Sequence, residues 1–136
     1  MTRFPVLDTT ADRSVLRILV AEDEAPLREI LCEGLREEGF EVVAAADGAQ
    51  ALELFRSAGP FDLLLLDEEM PRLTGRRLLA HLRAQGEDVT AVLFSGNLEL
   101  THEEQARLRV GPALRKPISF SDLAHAIRGA IDSRPR

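Results

Sequence analysis

Asp67, the acidic pair Glu22-Asp23, Ser95 and Lys116 are the side chains in this sequence with the types to do chemistry together, provided that the fold brings them to one place. Three carboxylates gathered at a point repel one another unless a proton or a cation intervenes. A donor set made only of oxygen suits a hard cation, Mg2+ with several retained waters. No histidine or cysteine cluster offers a soft-metal alternative. A hydroxyl, an ammonium and a metal around one carboxylate form surroundings that hold a phosphoryl group. The carboxylate is then the natural nucleophile and an acyl phosphate the product. Taken singly, each residue has a plainer reading. Glu22-Asp23-Glu24 reads as the acidic first turn of a helix, Asp67 as an exposed acid, Ser95 as a turn residue and Lys116 as a solvated charge.

The elements decide between these readings. Leu63 to Leu66 are four leucines in a row, without alternation, which suits a strand buried on both faces in a parallel sheet. Pro71 limits how far that strand runs, so Asp67 falls at its carboxyl end. Val15–Ala21 reads as a first strand ending in Glu22-Asp23-Glu24, and Pro26 opens a helix with Leu27, Ile30, Leu31 and Leu35 on its inner face. Gly39 stops it. Phe40–Ala46 reads as a second strand. Asp47-Gly48 is a turn and cap, followed by a helix over Ala49–Ala58. After the leucine strand and a loop to Gly75 comes a helix with Leu78, Leu79 and Leu82 inward. Val89–Phe94 is a fourth strand, ending in Ser95-Gly96-Asn97. Thr101 and Glu104 read as a capping box for a short fourth helix. Val110–Leu114, interrupted by Pro112, reads as a fifth strand at the sheet edge, ended by Lys116-Pro117. Ser119 and Asp122 read as a second capping box, opening a last helix with Leu123, Ile127, Ala130 and Ile131 inward.

Strands alternating with helices throughout predict an α/β fold, a doubly wound five-stranded parallel sheet with helices on both faces. Right-handed crossovers bring every strand's carboxyl end to one edge, where open α/β sheets bind ligands. Residues 15–132 form this one domain. Residues 1–14 carry no periodicity and read as a flexible N-terminal extension, and residues 133–136 as a short tail. The net charge of −6 argues against direct nucleic-acid binding, and no apolar run is long enough to span a membrane. A single cysteine, Cys32, off the first helix's main stripe, allows no internal disulfide; with no signal segment, the cytoplasm is expected. His81, His102 and His125 are expected at the surface. Lys116 is the only lysine among 17 basic residues. It is the one place where a compact ammonium stands in place of a guanidinium.

In order along the chain, the acidic pair of Ile18-Leu19-Val20-Ala21-Glu22-Asp23-Glu24, Asp47-Gly48-x-x-Ala51-Leu52, Asp67-x-x-Met70-Pro71-x-x-x-Gly75, Phe94-Ser95-Gly96 and Lys116-Pro117 resemble the receiver domain of bacterial two-component response regulators, of the CheY-like superfamily. The match runs from about Arg17 to Ile131. The resemblance implies that Asp67 is the phosphoacceptor for a histidine kinase or a histidine phosphotransfer protein. It implies that Asp23, Asp67 and the backbone carbonyl of Glu69 hold Mg2+, with Glu22 acting mainly through water. Ser95 is then expected to bond a phosphoryl oxygen, and Lys116 to pair with Asp67 before modification and with the phosphoryl group after it. The Lys116-Pro117 bond is expected to be cis. A self-catalysed switch that acts on an unknown downstream protein is implied, not metabolic turnover, either as a single-domain regulator or as a receiver taken from a longer protein.

Two departures from the family pattern stand out. An aromatic residue usually stands three positions before the lysine, where this chain has Ala113. Glu69 and Asn97, each two positions after a site residue, are candidates for setting the phosphoryl lifetime. Two other readings fit the sequence. One is a receiver-like scaffold that is never phosphorylated. The other is a phosphatase of the haloacid-dehalogenase kind, against which stand Glu69 in place of a second aspartate and the lack of room for a cap domain. Homodimerisation through the fourth-helix and fifth-strand face is a further expectation.

Overall fold

The computed structural model describes residues 15–133, so the expected extension and most of the expected tail lie outside the described residues. Ten elements alternate: β1 (Arg17–Ala21), α1 (Ala25–Glu37), β2 (Glu41–Ala45), α2 (Gly48–Ala58), β3 (Leu63–Asp67), α3 (Gly75–Ala84), β4 (Thr90–Ser95), α4 (His102–Leu108), β5 (Leu114–Arg115) and α5 (Phe120–Asp132). The strands form one parallel sheet in the order β2-β1-β3-β4-β5. The chain order reverses between β1 and β3, the topological switch point at which such sheets place their sites.

Side chains alternate between the two faces of a strand, and both faces are covered. On one face Leu19, Leu64, Leu66 and Leu93 pack with Ala51 of α2, Leu78, Leu79 and Leu82 of α3 and Leu108 of α4. On the other, Ile18, Val20, Leu63, Leu65 and Phe94 pack with Leu31 and Leu35 of α1 and Leu123, Ile127 and Ile131 of α5. All five residues of β3 are buried, as the unbroken leucine run predicts.

Register places the site. Ala21 pairs with Leu66, so one step further Glu22 comes alongside Asp67. Asp67 pairs with Phe94 and Ser95 with Arg115, so Ser95 and Lys116 follow at the same edge. Gly75, at the start of α3, closes on this edge. A Cβ there would lie 2.6 Å from the Asp67 carbonyl oxygen, so only glycine lets the helix approach so closely.

Several expectations need correction. Ile30, expected on the inner face of α1, is 62% exposed, and Cys32 is buried in its stead. Cys32 lies three positions before Leu35 and shares its face, whereas Ile30, five before, is rotated far round the helix. Burial pushes the Cys32 thiol up, which leaves it unreactive. β1 starts at Arg17, with Val15 exposed. β5 is two residues long and not the five of Val110–Leu114, since Gly111-Pro112 gives no continuous ladder; its edge position is as expected. The Thr101–Glu104 capping box is complete. At α5, Ser119 accepts from the Asp122 N–H (3.1 Å), half of the reciprocal pair. Aspartate is a methylene shorter than the glutamate that usually reaches back. The three histidines are exposed.

Candidate functional site

Each strand delivers one side chain to the edge, and local backbone bonds fix how it is aimed. Beyond β1 the Glu22 N–H donates to the Ala45 carbonyl (3.1 Å), while Glu22 Oε2 accepts from the Glu24 N–H (2.9 Å). Glu22 is thereby folded back and buried, and Asp23 points to the exposed side. Asp67 closes β3 and is fully buried; its Oδ1 accepts from the Glu69 N–H (3.1 Å). Ser95 closes β4, its Oγ accepting from the N–H groups of Asn97 (3.0 Å) and Leu98 (2.8 Å). The Lys116 N–H donates to the Ser95 carbonyl (2.8 Å), and the Lys116-Pro117 bond is cis.

Lys116 stands at the centre. Its Nζ lies 3.0 Å from Asp67 Oδ1, 3.5 Å from Glu69 Oε1 and 3.8 Å from Glu22 Oε1. The ammonium also sits over the Phe94 ring, 5.1 Å from its centroid. Burial works against its charge, but the hydrogen bond and charge of Asp67, backed by Glu22 and Glu69, outweigh it. The Lys116 pKa is therefore raised. Glu22 is pushed up to about 7, first by burial and then by the Asp67 carboxylate, with the Glu24 N–H and Lys116 opposing.

The acidic side is unfinished. Carboxylate oxygens of Glu22, Asp23 and Asp67 lie within 4.8 Å of one another. Among the described residues, Glu22 Oε1 and Asp67 Oδ2 are buried with no hydrogen-bond partner. Buried acceptors in that state are costly unless something satisfies them, and a hard divalent cation with oxygen ligands does so. The residues present fit Mg2+.

The hydroxyl side is finished, and by a residue whose contacts the sequence did not reveal. Glu69 Oε2 accepts from the Ser95 hydroxyl, and Oε1 accepts from the Gly96 N–H (3.1 Å) with Lys116 beside it. Burial raises the Glu69 pKa, but the bonds from Ser95 and Gly96 and the Lys116 charge prevail and hold it below the usual carboxylate range. Asn97 is exposed and reaches the site through its backbone N–H. Glu68, next to Asp67, turns the other way. Its Oε1 accepts from the Arg76 N–H at the start of α3 (2.7 Å), and Arg76 Nη1 donates to Glu104 of the α4 capping box (3.0 Å). Only the acidic residue near a helix start could have hinted at this link. Ala113 is partly buried and packs on the α2–α4 side of the sheet.

The profile of the response regulator receiver domain matches residues 18–128. The chain belongs to that family. It is 38% identical to the transcriptional regulatory protein PdtaR of Mycobacterium tuberculosis over 125 residues, 90% of this chain and 60% of that protein. It is 37% identical to the regulator of RpoS of Escherichia coli over 103 residues, 75% of this chain and 30% of that protein. This chain thus spans between 30% and 60% of these relatives. Among solved structures, the receiver domain of a Francisella response regulator superposes with a TM-score of 0.77 at 27% identity, covering 86% of this chain and 97% of that one. TrrA of Thermotoga maritima, solved with Mg2+ and BeF, gives 0.71 at 30% identity, covering 85% and 99%. As a receiver domain the chain is a phosphoacceptor module of two-component signalling. Receiver domains work between a kinase or phosphotransfer protein and a downstream effector.

Proposed function

We propose that Asp67 is the residue that takes the phosphoryl group, and that Glu22, Asp23, Asp67 and the Glu69 carbonyl hold Mg2+ for that step, Glu22 mainly through water. The observation that carries this reading is the buried, cation-paired Asp67 with one oxygen on Lys116 and the other without a hydrogen-bond partner among the described residues, beside two further carboxylates. Bound Mg2+ offsets the negative charge of donor and carboxylate as they approach. An Asp67 carboxylate oxygen attacks the phosphorus of a phosphohistidine. The P–N bond breaks, its electron pair returns to the imidazole nitrogen, and an O–P bond forms on Asp67. Lys116 and the Ser95 hydroxyl then face the phosphoryl oxygens. Water attack at the same phosphorus breaks the Asp67 O–P bond, releases inorganic phosphate and restores the carboxylate, which resets the switch, with Glu69 and Asn97 at the rim to influence its rate.

The donor is a histidine kinase or a histidine phosphotransfer protein, and the product acts on a downstream protein from the cytoplasm, without touching nucleic acid or membrane. Among the described residues no helix is long and apolar enough to cross a membrane. The α4 and β5 face is the surface by which two modified copies pair. A rise in particle mass on activation supports this pairing, and an unchanged mass at full modification refutes it. For the site itself, reductive trapping of the acyl phosphate followed by peptide mapping is the test. Label at Asp67 is expected; label at Asp23 or at a histidine would overturn the assignment.

A further inference from the structure

Three donors suited to phosphoryl oxygens, the Ser95 hydroxyl, the Gly96 N–H and the Lys116 ammonium, all converge on the Glu69 carboxylate. A carboxylate resembles a phosphoryl group in that it is an anion that only accepts hydrogen bonds. Resting on the reading of Asp67 as phosphoacceptor, we infer that Glu69 is an internal stand-in for the phosphoryl group, which closes the anion subsite of the unmodified protein and selects against small phosphodonors. Among the described residues, no other carboxylate of the site has this arrangement. Glu22 is locked by the Glu24 N–H and buried, and Asp23 is on the exposed acidic side. Glu69 sits at the rim with its side chain 41% exposed, so solvent is open to it when it releases these donors.

The consequence is a competition. An incoming phosphoryl group needs the donors that Glu69 holds, so the competent state of the site is the fraction in which Glu69 has left. Apparent affinity for a donor falls by that fraction. The Glu69 charge also repels the approaching anion. A protein donor meets this cost with binding energy from its docking surface, remote from the phosphoryl group. A small donor such as phosphoramidate has no such surface and bears the whole of it. Glu69 is thus a specificity-determining residue for the donor, and it acts before phosphoryl transfer.

The test is the rate of modification by phosphoramidate with Mg2+, followed by intact mass for wild type, Glu69→Ala, Glu69→Gln and Asp67→Ala. Glu69→Ala empties the subsite, and Glu69→Gln removes the charge while keeping the size. Both are expected to react faster than wild type, Glu69→Ala by roughly tenfold, through a lower apparent KM for phosphoramidate with little change in the maximal rate. In the unmodified protein the Gly96 amide resonance should move in Glu69→Ala, and wild type and variant should converge once beryllofluoride occupies the site. Equal or slower reaction of both variants, with wild type modified at Asp67, overturns the inference while leaving the phosphoacceptor reading intact. A wild type that takes no phosphoryl group overturns both.

Discussion

The two flanks of Asp67 differ in one respect that organises the site. Toward β1, Glu22 Oε1 and Asp67 Oδ2 are buried with no hydrogen-bond partner among the described residues, and the Glu22 carboxyl is pushed up to about 7. Toward β4 and β5, the Ser95 hydroxyl, the Gly96 N–H and the Lys116 ammonium all meet the Glu69 carboxylate. One flank gathers carboxylates; on the other, the donors already hold one. On the readings proposed above, the first flank suits a metal ion, and the second takes a phosphoryl group only as Glu69 releases its donors. The lesson is that adjacent halves of a single site can be set for opposite charges by which backbone N–H groups each carboxylate meets.

Asp67 belongs to both flanks, so its loss has the largest effect. Asp67→Asn is expected to abolish the gain of a phosphoryl group by intact mass while leaving the sheet folded by circular dichroism. Lys116 is next. It is the cation shared by three carboxylates, two of them buried. Lys116→Ala should slow modification by roughly 100-fold, the usual cost of losing one preorganised electrostatic contact. It should also lower metal-free stability by about 3 kcal/mol in urea unfolding, since buried charge is left uncompensated. Mg2+ should restore part of that loss if the acidic flank is the cation site.

The pH dependence separates the flanks further. The Glu22 carboxyl holds its proton more tightly folded than unfolded, with a pKa of about 7 against an ordinary 4.5. Its contribution to stability is therefore fully present below about pH 4.5 and is lost as pH rises through about 7. In EDTA the loss across that window is expected to be roughly 2 kcal/mol, discounted for its coupling to Asp67 and Lys116. Glu22→Gln should flatten this part of the profile, and Mg2+ should offset the loss above pH 7. A metal-free profile that rises steadily from pH 5 to pH 8 would contradict the account of this flank. The smallest effect is expected at Arg76, half-exposed between Glu68 and Glu104. Arg76→Ala should cost under about 1 kcal/mol and leave the rate of modification nearly unchanged.

Much of this was legible in the sequence because it depends on strand ends. The leucine run fixes β3 as the central buried strand, Pro71 its end, and parallel register then carries Glu22, Ser95 and Lys116 to Asp67. The capping box at Thr101 is a local pattern and was equally readable. What escaped is tertiary. Ile30 and Cys32 traded places because the inner face of α1 is set by where the helix rests on the sheet, and apolar type alone does not say that. β5 shrank to two residues because an edge strand near Pro112 has few ladder bonds to extend it. Glu69 was marked by its position two residues after Asp67. Its bonds to Ser95 and Gly96 span more than 25 positions, and no local pattern encodes them.

The most direct measurement is an intact-mass time course of the wild-type chain with phosphoramidate, once with Mg2+ and once with EDTA. The account predicts a gain of a single phosphoryl group with Mg2+ and none, or a far slower one, with EDTA. Modification that proceeds equally well in EDTA would contradict the acidic flank as a cation site, and no modification with Mg2+ would contradict the site as a whole.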